Sequence, residues 1–134
     1  MSKPVLVTIN LTSSSHSNRF ISIWGDTKKT ILELHPNIRF FDIMVGNDRK
    51  FNHNIVPSYL TNYTRWFPMI LFVPGTLWNE AIRHLGIDNP IEIKEDVQIM
   101  NGYWDDNDDL KFILEHNYTK KEEILSWVDK VYGK

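Results

Sequence analysis

The chain has 134 residues, 42% of them hydrophobic and 24% charged, with a formal net charge of −2. That length predicts one domain with a real core, and the composition is neither that of a disordered chain nor that of a coiled coil. The charge offers no attraction to nucleic acid or to an anionic membrane, and the basic runs Lys28-Lys29 and Lys120-Lys121 are only pairs.

Cysteine is absent, which excludes disulfides, thiolate catalysis and cysteine-ligated zinc or iron-sulfur centres. The N-terminal apolar stretch is interrupted by Thr8 and Asn10, too short and too polar for a signal peptide. No segment approaches the roughly 18 apolar residues of a membrane helix. A cytoplasmic location is expected, and the sequons at Asn10, Asn62 and Asn117 are then incidental. The abundance of Asn, Ile and Lys is that of an AT-rich genome, such as a large DNA virus or a protist, with a virion location as the viral variant.

VLVTINL (5–11) is β-branched and bounded by proline and serine, which predicts a strand. The polar turn 12–18 supplies N-caps for a helix with Phe20, Ile23, Trp24, Ile31 and Leu34 near one face. Gly25-Asp26 predicts a kink or split in it, and His35-Pro36-Asn37 its end. IRFFDIMV (38–45) is a second strand, apolar enough to be central in a sheet. IVPSYLTNY predicts a short helix with Pro57 near its start, and MILFV (69–73) a strand buried on both faces.

After the Pro74-Gly75 turn, residues 76–86 predict a helix capped by Thr76 and stopped by Gly86. Strand-like alternation runs through PIEIKEDVQIMNGYW, DDNDD (105–109) is a loop, and LKFILEHN is ambiguous. The last segment is a helix, with Thr119 and Glu122 as a capping box and Ile124, Trp127, Val128 and Val131 on one face. The β-α-β start with apolar strands argues for parallel pairing through a crossover.

In this order the chain resembles the thioredoxin-like superfamily. VLVTINLTSSSHS matches that family's first strand and active-site turn without gaps. Ser13 falls on the family's tryptophan, Ser14 and Ser17 on its two cysteines, and Ser15-His16 on the variable pair. RWFPMILFVPG is similar to its cis-proline strand, with Phe67-Pro68 as the proline step and Gly75 as the turn glycine. The resemblance covers roughly residues 4–75 and 119–132, leaving 76–118 as an insertion or elaboration. It implies a single-domain α/β protein, a three-layer α/β/α sandwich around a mixed central sheet.

Both redox cysteines are missing, and the acid that the family often buries on the first strand is replaced by Thr8. Replacement of two cysteines by serine would not account for Thr8. The resemblance therefore implies a redox-inactive relative, with no cofactor and no catalytic residue, that acts as a binding module. Its candidate surface is Ser14, Ser15, His16 and Ser17 with Trp66, Phe67 and Pro68. The expected partner is a protein or an extended peptide segment laid alongside the strand, or a second copy of the chain, with neither nucleic acid nor membrane involved. A structural component that self-associates through 76–118, or a glutathione-using transferase, is the alternative.

Plainer roles compete with each feature. The serines suit helix capping, although free N–H groups at a helix start also attract anionic or carbonyl groups. Adjacent Ser and His lack a third group and an oxyanion hole, so hydrolase chemistry is not supported. Phe67-Pro68 suits the entrance of a strand. The five histidines at 16, 35, 53, 84 and 116 are scattered. DDNDD lacks the glycine and glutamate of a calcium loop, because Leu110 and His116 stand at those positions. No metal site is called. Trp78 and Trp104 lie in the elaborated region, where an exposed aromatic would mark a partner surface.

Overall fold

The first apolar run forms β1 (Val5–Leu11), and its residues 5–10 are buried on both sides. The computed structural model describes residues 3–51, 56, 64–83, 85 and 97–133. A strand of this kind needs neighbours at both edges. β1 pairs in parallel with β2 (Arg39–Val45), from Val5↔Arg39 to Leu11↔Val45. On the other side it runs antiparallel to β3 (Met69–Val73), from Val5↔Val73 to Ile9↔Met69. The short β4 (Gln98–Ile99) extends β3 and gives a mixed four-stranded sheet, β2-β1-β3-β4.

Between β1 and β2 lies α1 (Ser15–Leu34), with Ser14 as N-cap and His35 as C-cap. Of the expected kink or split at Gly25-Asp26, the split does not occur, and twenty residues form one helix. Phe20, Trp24, Thr27 and Ile31 lie on one stripe and are buried on both sides of the glycine. Packing along that stripe outweighs the roughly 1 kcal/mol that glycine costs a helix interior. The stripe runs through Thr27, whose hydroxyl donates to the Ile23 carbonyl at 2.7 Å, and leaves Leu34 exposed.

The sheet is covered on both faces. Val5, Val7, Ile9, Met69, Leu71 and Val73 pack with Trp78 and Ala81 of α2 (Gly75–Arg83). Leu6 and Ile70 on the opposite face pack with Phe20, Trp24 and Ile31 of α1 and with the apolar face of α3 (Lys121–Tyr132). That face is the expected Ile124, Trp127, Val128 and Val131, each contributing about 1.5–3 kcal/mol by burial. Lys121–Asp26 at 2.8 Å and His35–Asp129 at 2.7 Å tie α3 to α1. The protein is thus mixed α/β, as expected.

Two expected caps are replaced. The Trp78 N–H bonds the Pro74 carbonyl at 3.0 Å, so α2 opens at Gly75 and Thr76 falls inside its first turn. At α3 the N-cap is Lys120 without a side-chain cap bond, because the Thr119 hydroxyl donates to Asn117 Oδ1 instead. Glu122 and Glu123 still lie in the first turn, where the helix dipole favours them. A separate hairpin, β5 (Gly102–Trp104) with β6 (Leu110–Phe112), precedes α3. The helix expected around Pro57, Gly86, His53, His84, Asn62 and the strand-like residues 90–96 lie outside the described residues. No described helix is long and apolar enough to cross a membrane.

Candidate functional site

At the end of β1 the chain must leave the sheet and enter α1 within four residues, and its serines make the turn. The Leu11 N–H donates to Ser17 Oγ at 3.0 Å, and Ser17 is fully buried. The Ser17 N–H in turn donates to Ser14 Oγ at 3.2 Å, the N-cap bond of α1. The Ser13 hydroxyl donates to Asn47 Oδ1 at 2.6 Å, and the Thr12 N–H and hydroxyl both reach the Val45 carbonyl. Ser15 and His16 remain exposed in the first turn. His16 Nδ1 lies 2.8 Å from the Tyr118 hydroxyl.

Ile9 pairs with Met69, so the residues just before β3 flank the end of β1 and its serine turn. Phe67-Pro68 is a cis peptide and Pro68 is buried. Trp66 and Phe67 are half-buried rather than a bare lip. The Phe67 ring lies beneath the Arg49 guanidinium at 5.7 Å. The Trp66 ring meets Phe112 edge-on at 5.3 Å. Gly102 is what lets the hairpin come this close, since a Cβ there would lie 3.0 Å from Trp66 and 2.9 Å from Ile99. Segment 97–118 therefore meets both halves of the expected surface, through Tyr118 on His16 and Phe112 on Trp66.

That segment holds a feature the sequence reading missed. Asn101 is buried at φ 60°, a conformation asparagine tolerates better than most residues. Its Oδ1 accepts from the N–H groups of Glu115 (3.0 Å) and His116 (2.8 Å), its Nδ2 donates to the His116 carbonyl (2.7 Å), and its own carbonyl accepts from Ile113. This clamp fixes 113–116 and leaves Phe112, Ile113 and Leu114 turned outward, Leu114 at 64% exposure. The signal in the sequence was three consecutive apolar residues in a segment whose structure was ambiguous.

A second missed feature is Asp42, on the α1 side of β2. Thr8 Oγ1 (2.7 Å) and Trp24 Nε1 (2.9 Å) donate to its Oδ1, and Lys28 Nζ donates to Oδ2 at 2.8 Å. Burial pushes this carboxyl up, but the Lys28, Thr8 and Trp24 hydrogen bonds and the ammonium charge outweigh it and hold the group below its ordinary value. Thr8 thus supports a carboxylate on the neighbouring strand. In the 105–109 turn, Asp105 Oδ1 accepts from the N–H groups of Asn107 and Asp109. Among the described residues no three His, Asp or Glu side chains are grouped to hold a metal ion. The chain matches no family model and no curated protein sequence.

Proposed function

We propose that this protein is a thioredoxin-like domain without thiol chemistry that binds an extended protein segment at the end of the sheet where Ser14–Ser17 and Trp66–Pro68 meet. The strand order β2-β1-β3-β4, with β1 parallel to β2 and antiparallel to β3, agrees with what the resemblance implies. The observation that carries the binding reading is the outward apolar run Phe112–Leu114, fixed by Asn101 beside Trp66. Because the run is already ordered, a partner would bury apolar area without first having to order the loop. The hydroxyls of Ser14 and Ser17 are engaged in the turn, which favours binding over catalysis.

Nuclear magnetic resonance of the labelled chain, titrated with extended peptides selected from a random display library, tests this reading. The expected result is a set of shifts at 14–17, 66–68 and 112–114 that Leu114→Asp abolishes. Failure of every selected peptide to perturb those residues overturns it. Sedimentation over a concentration series reveals whether the partner is a second copy, in which case Leu114→Asp also removes self-association.

A further inference from the structure

Thr8 and Asn10 follow each other on the α1-facing side of β1, and both are buried. Thr8 is bonded to Asp42, whereas Asn10, 4% exposed, has an Oδ1 with no hydrogen-bond partner. A buried acceptor without a donor works against the fold, so its retention calls for a reason. Asn10 lines a cleft of about 370 Å³ between α1 and β2, at the low end of the roughly 300–1,000 Å³ range of small-molecule sites.

The rest of the cleft is consistent with an occupant. Its walls are Ile21, the Trp24 ring and Met44. Met44 is 55% exposed although it lies on the sheet. Gly25 also lines it, in the interior of α1, and a Cβ there would meet nothing within 4 Å. No close contact requires glycine at a position where it weakens the helix. Its effect is to leave the cleft open. At the rim Lys28 and Asp42 neutralise each other at 2.8 Å.

We propose that this cleft binds a neutral, compact, largely apolar molecule that carries one N–H or O–H donor, and that the donor bonds Asn10 Oδ1. Neutrality follows from the closed Lys28–Asp42 pair, and the donor from the unpartnered amide oxygen. Met44, the cross-strand partner of Asn10, lines the same cleft with an unbranched side chain whose rotamer change would open access to that oxygen.

Indole and 1-methylindole, alike in shape but differing in the donor, are the probes for the labelled full chain. Indole is expected to shift the backbone signals of residues 21–28 and 42–44 and the Trp24 indole N–H. The methylated probe is expected to bind about fivefold to tenfold more weakly, the loss of one buried hydrogen bond. Asn10→Leu should equalise the two probes. Gly25→Leu should abolish binding of both without lowering the unfolding midpoint, because leucine favours the helix. Absence of indole shifts at the cleft, equal affinity of wild type for both probes, or unchanged binding to a folded Gly25→Leu chain each overturns the proposal.

Discussion

In the turn after β1, side chains reach back to the backbone: Ser17 accepts from Leu11, Ser14 from Ser17, and little polar capacity is left over. In the loop after β6 a single distant side chain, Asn101, satisfies the Glu115 and His116 backbone groups, and the Ile113, Leu114 and Glu115 side chains face solvent. In the first region Ser14 and Ser17 form a structural joint, and what it offers a partner is the exposed Ser15 and His16 of the first turn. The second carries no recognisable motif and offers the free surface. A run of hydroxyls and imidazole is therefore weak evidence of chemistry when it borders a helix start, where the same groups are needed as caps.

The sharpest way to break this contrast is at the clamp. Asn101→Gly keeps the backbone conformation but removes three side-chain hydrogen bonds, and is expected to cost about 3 kcal/mol in denaturant unfolding. A loss below about 1 kcal/mol would mean that the loop is held by something else. Asn101→Ala should cost about 1–2 kcal/mol more, since alanine is disfavoured at φ 60°.

At the turn, Ser17→Ala leaves the half-buried Leu11 N–H without its partner, at about 1–2 kcal/mol. Gly102→Ala, which drives a methyl into Ile99 and Trp66, falls in the same range. Ser14→Ala should cost about 1 kcal/mol, the ordinary value of a cap. If the two serines matter less than exposed surface residues do, the turn is not the joint described above. Leu114→Asp, by contrast, should change stability by no more than about 0.5 kcal/mol while removing partner binding. Equal stability losses at Leu114 and Ser17 would erase the distinction between the regions.

Strands β1 and β3 and the apolar face of α3 were legible because burial on both sides leaves unbroken apolar runs, and burial on one side leaves a 3.6-residue stripe. By contrast β2, apolar enough to be expected in the centre, lies at the edge of the sheet with Asp42 and Met44 exposed. Of the kink or split expected at Gly25, the split is not found, because a glycine's local cost is visible in sequence while the packing that overrides it is not. Thr119 and Glu122 matched a capping box, but Asn117 captured the threonine hydroxyl first. For the candidate surface, the sequence singled out Ser14–Ser17 and Trp66–Pro68 as an expectation, and β1–β3 pairing brings the two stretches to the same end of the sheet. Asn101 and Asp42 were invisible, because the side chain of each matters only through partners 14 to 34 residues away that folding alone supplies.

Asp42 provides the smallest and most specific test, since it asks whether inward-turned polar chemistry extends along β1 from the serine turn to Thr8. Its carboxyl is held below the ordinary value in the folded chain, despite burial, by bonds from Lys28, Thr8 and Trp24. The folded state therefore binds this proton less readily than the unfolded state. The resulting stability is present above the unfolded value, near pH 4, and disappears as pH falls through the lower folded value. The side chain is 36% exposed, so solvent screens much of the effect. Asp42→Asn should flatten the acid limb of the stability curve below about pH 4 and destabilise the protein at neutral pH. High salt should weaken the wild-type contribution from Lys28 but leave the neutral Thr8 and Trp24 donors largely intact. Identical acid limbs for the two proteins would mean that Asp42 is not held below its ordinary value and that the inward network ends at Ser17.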